Sequence, residues 1–293
     1  MDLGITTAFA FSIPILWAVV NLIDKYAVSY KVKKLFSFVV ISGIVHIILG
    51  SSLALFLNWH GITIQDTLFP IIVGLIFGAQ FYFYYLIIKK EDVSSVIGFM
   101  YVHPVFVAIL SFLFLNEKLS LTSYLGMLMI ILGLLMLTVG DNRIRLKISF
   151  WLITPFILID TFYEFFTKVS TTHIPELNGV AITNIFIGLI ILLGLLSREI
   201  RGGVKSELKN IPWAFISESL TFLALLMTYL AMSGLPATIV SSIGAIHPMF
   251  VLLFEYLLTK TRIKISVKEN IGKKILPLSL IVIGVILLYI TGV

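Results

Sequence analysis

Ten runs of mostly apolar residues, each about twenty long, follow one another along this chain. They lie near 4–27, 36–58, 68–88, 94–115, 121–140, 149–169, 179–197, 211–231, 237–258 and 275–292. At ~1.5 Å per residue, a helix of that length crosses the ~30 Å hydrocarbon core of a bilayer. Backbone amides in lipid find no water, so runs like these must satisfy their own hydrogen bonds as helices. The expected fold is therefore an all-α polytopic membrane protein with ten transmembrane helices. The chain has 293 residues, 59% hydrophobic and 12% charged, with mean hydropathy +1.08. Soluble domains carry about 25% charged residues. Connections this short leave no room for a soluble domain. The absence of cysteine excludes disulfides, thiolate nucleophiles and cysteine metal sites. The first run has no basic leader and continues at full length, so it reads as a retained helix rather than a cleaved signal.

The net charge of +6 does not point to nucleic acid, because the basic residues are dispersed among short loops. Their distribution instead reports topology. Of the 21 lysines and arginines, 18 fall in the odd-numbered connections, among them Lys31, Lys89, Arg143, Arg201 and Lys264. Only Lys25, Lys118 and Lys168 lie elsewhere. The positive-inside rule puts the odd connections in the cytoplasm and both termini outside a cell membrane.

One run breaks the apolar rule. Ser149 to Lys168 reads SFWLITPFILIDTFYEFFTK and carries Asp160, Glu164 and Lys168 at i, i+4 and i+8. On a helix these form one slowly drifting stripe. An ionisable group in the bilayer costs about 2.5–3.5 kcal/mol on insertion scales, so it usually faces a bundle interior or a water-filled cavity. Asp160 lies some eleven residues into the run, roughly 16 Å along the helix and near midplane. A carboxyl at that depth needs a cation, water or a proton beside it.

The chain also repeats. His103-Pro104 in the fourth run and His247-Pro248 in the ninth are 144 residues apart, in GFMYVHPVFVAILSFLF and SIGAIHPMFVLLFEYLL. A shift of 143 lays Trp17, Asn21 and Lys25 on Asp160, Glu164 and Lys168. The halves 1–140 and 149–293, joined by a cytoplasmic linker at 141–148, thus read as duplicated five-helix units. Five is odd, so the units must be inverted in the membrane, which places a substrate site near midplane where they meet. Pro14, Pro104, Pro155 and Pro248 fall inside runs and should kink or locally unwind them. Gly74 and Gly78 mark a smooth face for close helix packing.

In these features the chain resembles the EamA proteins of the drug/metabolite transporter superfamily. The first half carries the clearest marks: Trp17, Asn21 and Lys25, then Pro104, the run LNEKLS with Glu117, and Gly126 and Gly133. The second half departs from them, with Thr261 where Glu117 predicts an acid and a basic stretch, IKISVKENIGKK, before the last run. External termini are a further departure. The resemblance implies transport of amino acids, nucleosides, drugs, sugars or amines, and does not distinguish among them.

The candidate substrate-binding residues are Asp160, Glu164, Asn21, Lys25, Trp17, Gln80, Tyr82, Tyr101 and Asn184. Those for a coupling proton are Asp160, Glu164, His103, His247 and Glu218. A histidine in the membrane can relay protons, or it can simply bond a carbonyl freed by the next proline. Five consecutive aromatics, Phe81 to Tyr85, point all round a helix, so at most two should reach a site. Acids in one half and Asn21 with Lys25 in the other would suit a zwitterion. The chain has no HExxH, phosphate-loop or GxSxG pattern, and His173 and Glu176 are separated by Pro175 in a short loop. The expected function is gradient- or proton-coupled secondary transport of a small polar metabolite, without cofactor or metal; the sequence leaves the oligomeric state open, a monomer included. The other classes are an intramembrane lipid-modifying enzyme, which needs a catalytic group near the headgroups, and a lipid-linked flippase, which needs a groove open to lipid.

Overall fold

Leu3–Tyr30 forms one helix, α1, which runs on through Pro14. The computed structural model describes residues 3–90, 103–118, 120–139, 150–259 and 275–292; Tyr101, the linker 141–148 and the basic stretch 263–274 lie outside them. After α1 come α2 (Leu35–Ala54), α3 (Leu68–Lys90), α4 (His103–Phe114) and α5 (Leu121–Val139). The second half holds α6 (Phe150–Thr171), α7 (Glu176–Leu192), α8 (Arg198–Glu207), α9 (Ile211–Gly234), α10 (Ala237–Gly244), α11 (His247–Thr259) and α12 (Ile275–Gly292). The described residues contain no strand. Six helical spans among them are long and apolar enough to cross a membrane, and His103–Phe114 and Leu121–Gly133 are shorter apolar helices. This is an all-α polytopic membrane protein. Its outer face is apolar, with Leu125, Leu128 and Leu132 on α5 and Val282, Ile283 and Ile286 on α12 exposed.

Two of the interior prolines show what the chain does around them. Pro155 sits inside α6 without ending it. The ninth run is interrupted instead just before its His-Pro pair: α10 stops at Gly244 and α11 opens at His247. Pro248 therefore lies in the first turn of a new helix, where its missing N–H costs nothing. His103-Pro104 begins the described part of α4.

Connection seven is a second difference. The sequence reads as a basic loop, but it folds into α8, which packs on the start of α2. Buried Glu207 turns its Oε1 to the amides of Lys33 (3.2 Å) and Lys34 (2.9 Å), and Asn210 holds Oε2 at 2.7 Å. An anion bonded to the free amides of a helix N-terminus stabilises it. Glu117 does the same for α10. It follows Asn116, whose φ of 57° asparagine tolerates, and accepts from the amides of Ala237 (2.9 Å) and Thr238 (3.4 Å).

The largest helix pairings join one half of the chain to the other: α5 with α12, α2 with α7, α1 with α9, and α3 with both α7 and α6. Glycine permits the closest of these. A Cβ on Gly74 would lie 2.5 Å from the Thr183 carbonyl oxygen and 2.7 Å from Phe186 Cβ on α7. The oxygen is backbone and cannot step aside. Gly74→Ala is therefore expected to cost about 1–3 kcal/mol, the usual cost of overpacking, read as a lower unfolding midpoint in detergent. An unchanged midpoint would mean that α3 and α7 do not meet there.

Candidate functional site

The polar residues inside the bundle gather round one cavity of about 90 Å³. Helix α1 gives it Trp17, Asn21 and Asp24; α3 gives Phe77, Gln80, Phe81 and Tyr84. His103 comes from α4, Asp160, Tyr163 and Glu164 from α6, and Glu218 from α9. Phe77 links two walls, with ring centroids 5.9 Å from Trp17 and 4.7 Å from Tyr163.

On the α6 side, His103 stands between two acids. Its Nδ1 is 3.3 Å from Asp160 Oδ2, and its Nε2 is 3.2 Å from Glu164 Oε1. A neutral imidazole has a single N–H. Both contacts are attractive only if the trio holds two protons. Those are either an imidazolium between two carboxylates, or a neutral imidazole with one carboxylate and one carboxylic acid. Either way the trio carries a net charge of −1. Gln80 Nε2 donates to Asp160 Oδ1 at 3.0 Å. Gln80 Oε1 and Glu164 Oε2 are buried and accept from no described residue.

On the α1 and α9 side, Asp24 faces three hydroxyls, of which Tyr84 OH is shared with Asn21 Oδ1 at 2.6 Å. Ser217 Oγ (2.5 Å) and Tyr85 OH (3.2 Å) bond its Oδ1, and Tyr84 OH bonds its Oδ2 at 2.9 Å. Tyr85 OH lies equally close, 3.2 Å, to Glu218 Oε1. Glu218 Oε2 is 3.0 Å from His46 Nε2. Asn184 donates through Nδ2 to the Val180 carbonyl, so its Oδ1 is the atom facing His46 Nδ1 at 2.7 Å. That nitrogen then carries the hydrogen, and one proton is shared between His46 Nε2 and Glu218. The His46–Glu218 pair is neutral wherever that proton sits.

Of the residues singled out from sequence, Trp17, Asn21, Gln80, His103, Asp160, Glu164 and Glu218 line the cavity. His247 stands behind it, its Nε2 3.0 Å from Asn21 Nδ2. Asn184 is one layer away, behind His46. Tyr82 points elsewhere, donating to the Ile191 carbonyl at 2.7 Å. Its neighbour Tyr84, about 200° round the helix, takes the place in the wall. Tyr101 lies outside the described residues. Neither stripe lysine lines the cavity. Lys25 Nζ reaches the Ile88 carbonyl of α3 at 2.8 Å, and Lys168 Nζ reaches those of Met232 (2.6 Å) and Leu235 (2.8 Å) at the end of α9. At the end of α9 the Lys168 cation meets the negative end of a helix dipole. Asp24, Tyr84, Tyr163 and His46 are absent from the sequence-based set. Asp24 lies three residues beyond Asn21 and Tyr84 four beyond Gln80, so the helical period that marks the stripe also marks them. Among the described residues no group of histidines and acids is disposed to hold a metal ion.

A buried acidic and aromatic cavity inside a bundle of apolar helices defines a polytopic membrane protein built round an internal polar chamber. Residues 4–139 match the EamA-like transporter family, which lies within the drug/metabolite transporter superfamily. One crystal structure of a protein aligns with 99% of this chain and 99% of its own at TM-score 0.66 and 14% identity, a likeness of fold. No curated protein matches the sequence.

Proposed function

We propose that the chain is a secondary transporter of a small polar solute, working by alternating access. Ten transmembrane helices, as two inverted five-helix units at 1–140 and 149–293, expose the central cavity to either side of a cell membrane in turn. The observation that carries this reading is the cavity with acids and aromatic rings in its lining, whose walls come from helices of both halves. Inverted-repeat transporters bind their substrates at such a junction, beside interrupted helices.

The pairing of helices supports the inversion. Exchanging the halves turns α1 with α9 into α6 with α3, α3 with α7 into α9 with α2, and α1 with α11 into α6 with α4, all of them packed pairs. Lys25 bonds a carbonyl of α3 and Lys168 one of α9 in the same exchanged sense. His247 meets Asn21 as His103 meets Glu164.

Asp160, Glu164 and His103 form the substrate or proton centre in this reading. Glu218 and His46 already share a proton beside it, which gives a coupling proton a second station. The test is exchange in proteoliposomes loaded with labelled amino acids, amines, nucleosides or sugars. Exchange of one class above empty liposomes is expected; none with any class removes the transporter reading.

The odd connections are cytoplasmic in this reading and both termini are external. The native chain has no cysteine, so single cysteines report side directly. Ser206→Cys should be silent to an impermeant thiol reagent on intact cells, and His60→Cys should be labelled. The reverse pattern overturns the orientation.

A further inference from the structure

The cavity wall is unequal in charge, and two of its buried acceptors lack a donor. The trio of His103, Asp160 and Glu164 holds a net −1 in either arrangement of its protons. The His46–Glu218 pair is neutral, and Asp24 already takes three hydroxyl contacts. The two lysines that could oppose the trio's charge are turned to carbonyls of α3 and at the end of α9. Beside the trio two acceptors are unsatisfied, together with the Tyr163 hydroxyl, which can donate to or accept from a ligand. Gln80 is 4% exposed, and its amide nitrogen is committed to Asp160, which leaves Oε1 facing the cavity without a donor. Glu164 Oε2 is in the same state. A buried acceptor without a donor costs about 1–3 kcal/mol, so a ligand that supplies N–H groups gains there. The aromatic walls of Trp17, Phe77 and Tyr163 favour a cation over an anion through their negative ring faces.

We infer that the cavity selects a small monovalent organic cation bearing N–H groups, a primary or secondary ammonium. Its N–H groups bond Gln80 Oε1 and Glu164 Oε2, its charge balances the trio, and its carbon portion lies against Trp17 and Phe77. A zwitterion, which the sequence alone suggested, finds no lysine in the cavity for its carboxylate. A quaternary ammonium has the charge but leaves both acceptors unbonded. The inference deepens the transporter reading and rests on it for its biological meaning, but binding tests it separately.

The experiment compares n-butylammonium, tetramethylammonium, n-butanol and butyrate on the purified full chain in nanodiscs, by thermal shift and calorimetry. n-Butylammonium should raise the melting temperature and bind at least about tenfold more tightly than the other three, the scale of one hydrogen bond to a charged group. Butyrate or butanol binding as well overturns the charge selection. Tetramethylammonium binding as well overturns the N–H requirement. No shift with n-butylammonium overturns both. Glu164→Gln should weaken n-butylammonium about tenfold or more and leave butanol unchanged; undiminished binding in both Glu164→Gln and Asp160→Asn places the amine elsewhere. If neither variant folds, the ranking on the parent protein decides alone. Transport is read independently, as movement of each labelled probe into proteoliposomes above protein-free liposomes. Ammonium binding without movement of any probe defeats the transporter reading and spares this inference. Movement of butyrate or butanol without ammonium binding does the reverse.

Discussion

Solute exchange by the Asp160→Asn variant is expected to fall at least about a hundredfold, while the protein still inserts and folds. Asparagine keeps the shape of aspartate, and its Oδ1 still accepts from Gln80 Nε2. It cannot keep the charge, so the trio with His103 and Glu164 changes from −1 to neutral. Contacts to a charged group contribute about 1.5–3 kcal/mol each, and every 1.4 kcal/mol is tenfold, so losing one or two gives a change of this order. Glu164→Gln should act in the same direction. A purely structural carboxyl predicts otherwise, because the near-isosteric amide would leave exchange intact. Normal exchange in both variants would sink the assignment of α6 as the substrate wall.

The second large effect is on stability. His46→Leu removes the only described partner of Glu218 Oε2 and leaves that acid sharing Tyr85 with Asp24. It also strips Asn184 Oδ1 of its donor. Breaking one side of a buried charged pair costs about 3–5 kcal/mol, far above the ~0.6 kcal/mol average for interhelical hydrogen bonds in a bilayer. The double variant His46→Leu/Glu218→Leu should recover much of the loss, since no lone acid is left buried. Unfolding midpoints in detergent give both values, and their difference measures the coupling. A double variant no more stable than the single one means that the two residues are not a unit.

Much of the cavity could be read in one dimension because a helix has a fixed period. Asp160 and Glu164 fall on one face at i and i+4, and the shift of 143 pairs them with Trp17 and Asn21 opposite; all four line the cavity. The same period marks Asp24, but Lys25 beside it is the residue that aligns with Lys168 across the shift. Tyr82 and Tyr84 could not be ranked, because five adjacent aromatics offer every direction and only the neighbours α6 and α7 decide which one faces the chamber. His46 is a lone polar residue in α2 by sequence; its meaning depends on Asn184 and Glu218, 138 and 172 residues away.

By itself the sequence determined that this is an all-α membrane chain, that its basic residues segregate to one set of connections, and that it carries ionisable groups at membrane depth. Those properties follow from apolar run length and helical period, which are local. Only the tertiary structure decided which helices meet. The closest pairings cross between halves, because glycines such as Gly74 let α3 approach α7 to backbone contact. It also decided where the lysines go. A long flexible side chain on the polar stripe can reach a backbone carbonyl as easily as the chamber, and carbonyls of α3 and at the end of α9 lie within reach of Lys25 and Lys168. That choice leaves the chamber lined with acids and aromatic rings, with neither lysine among them.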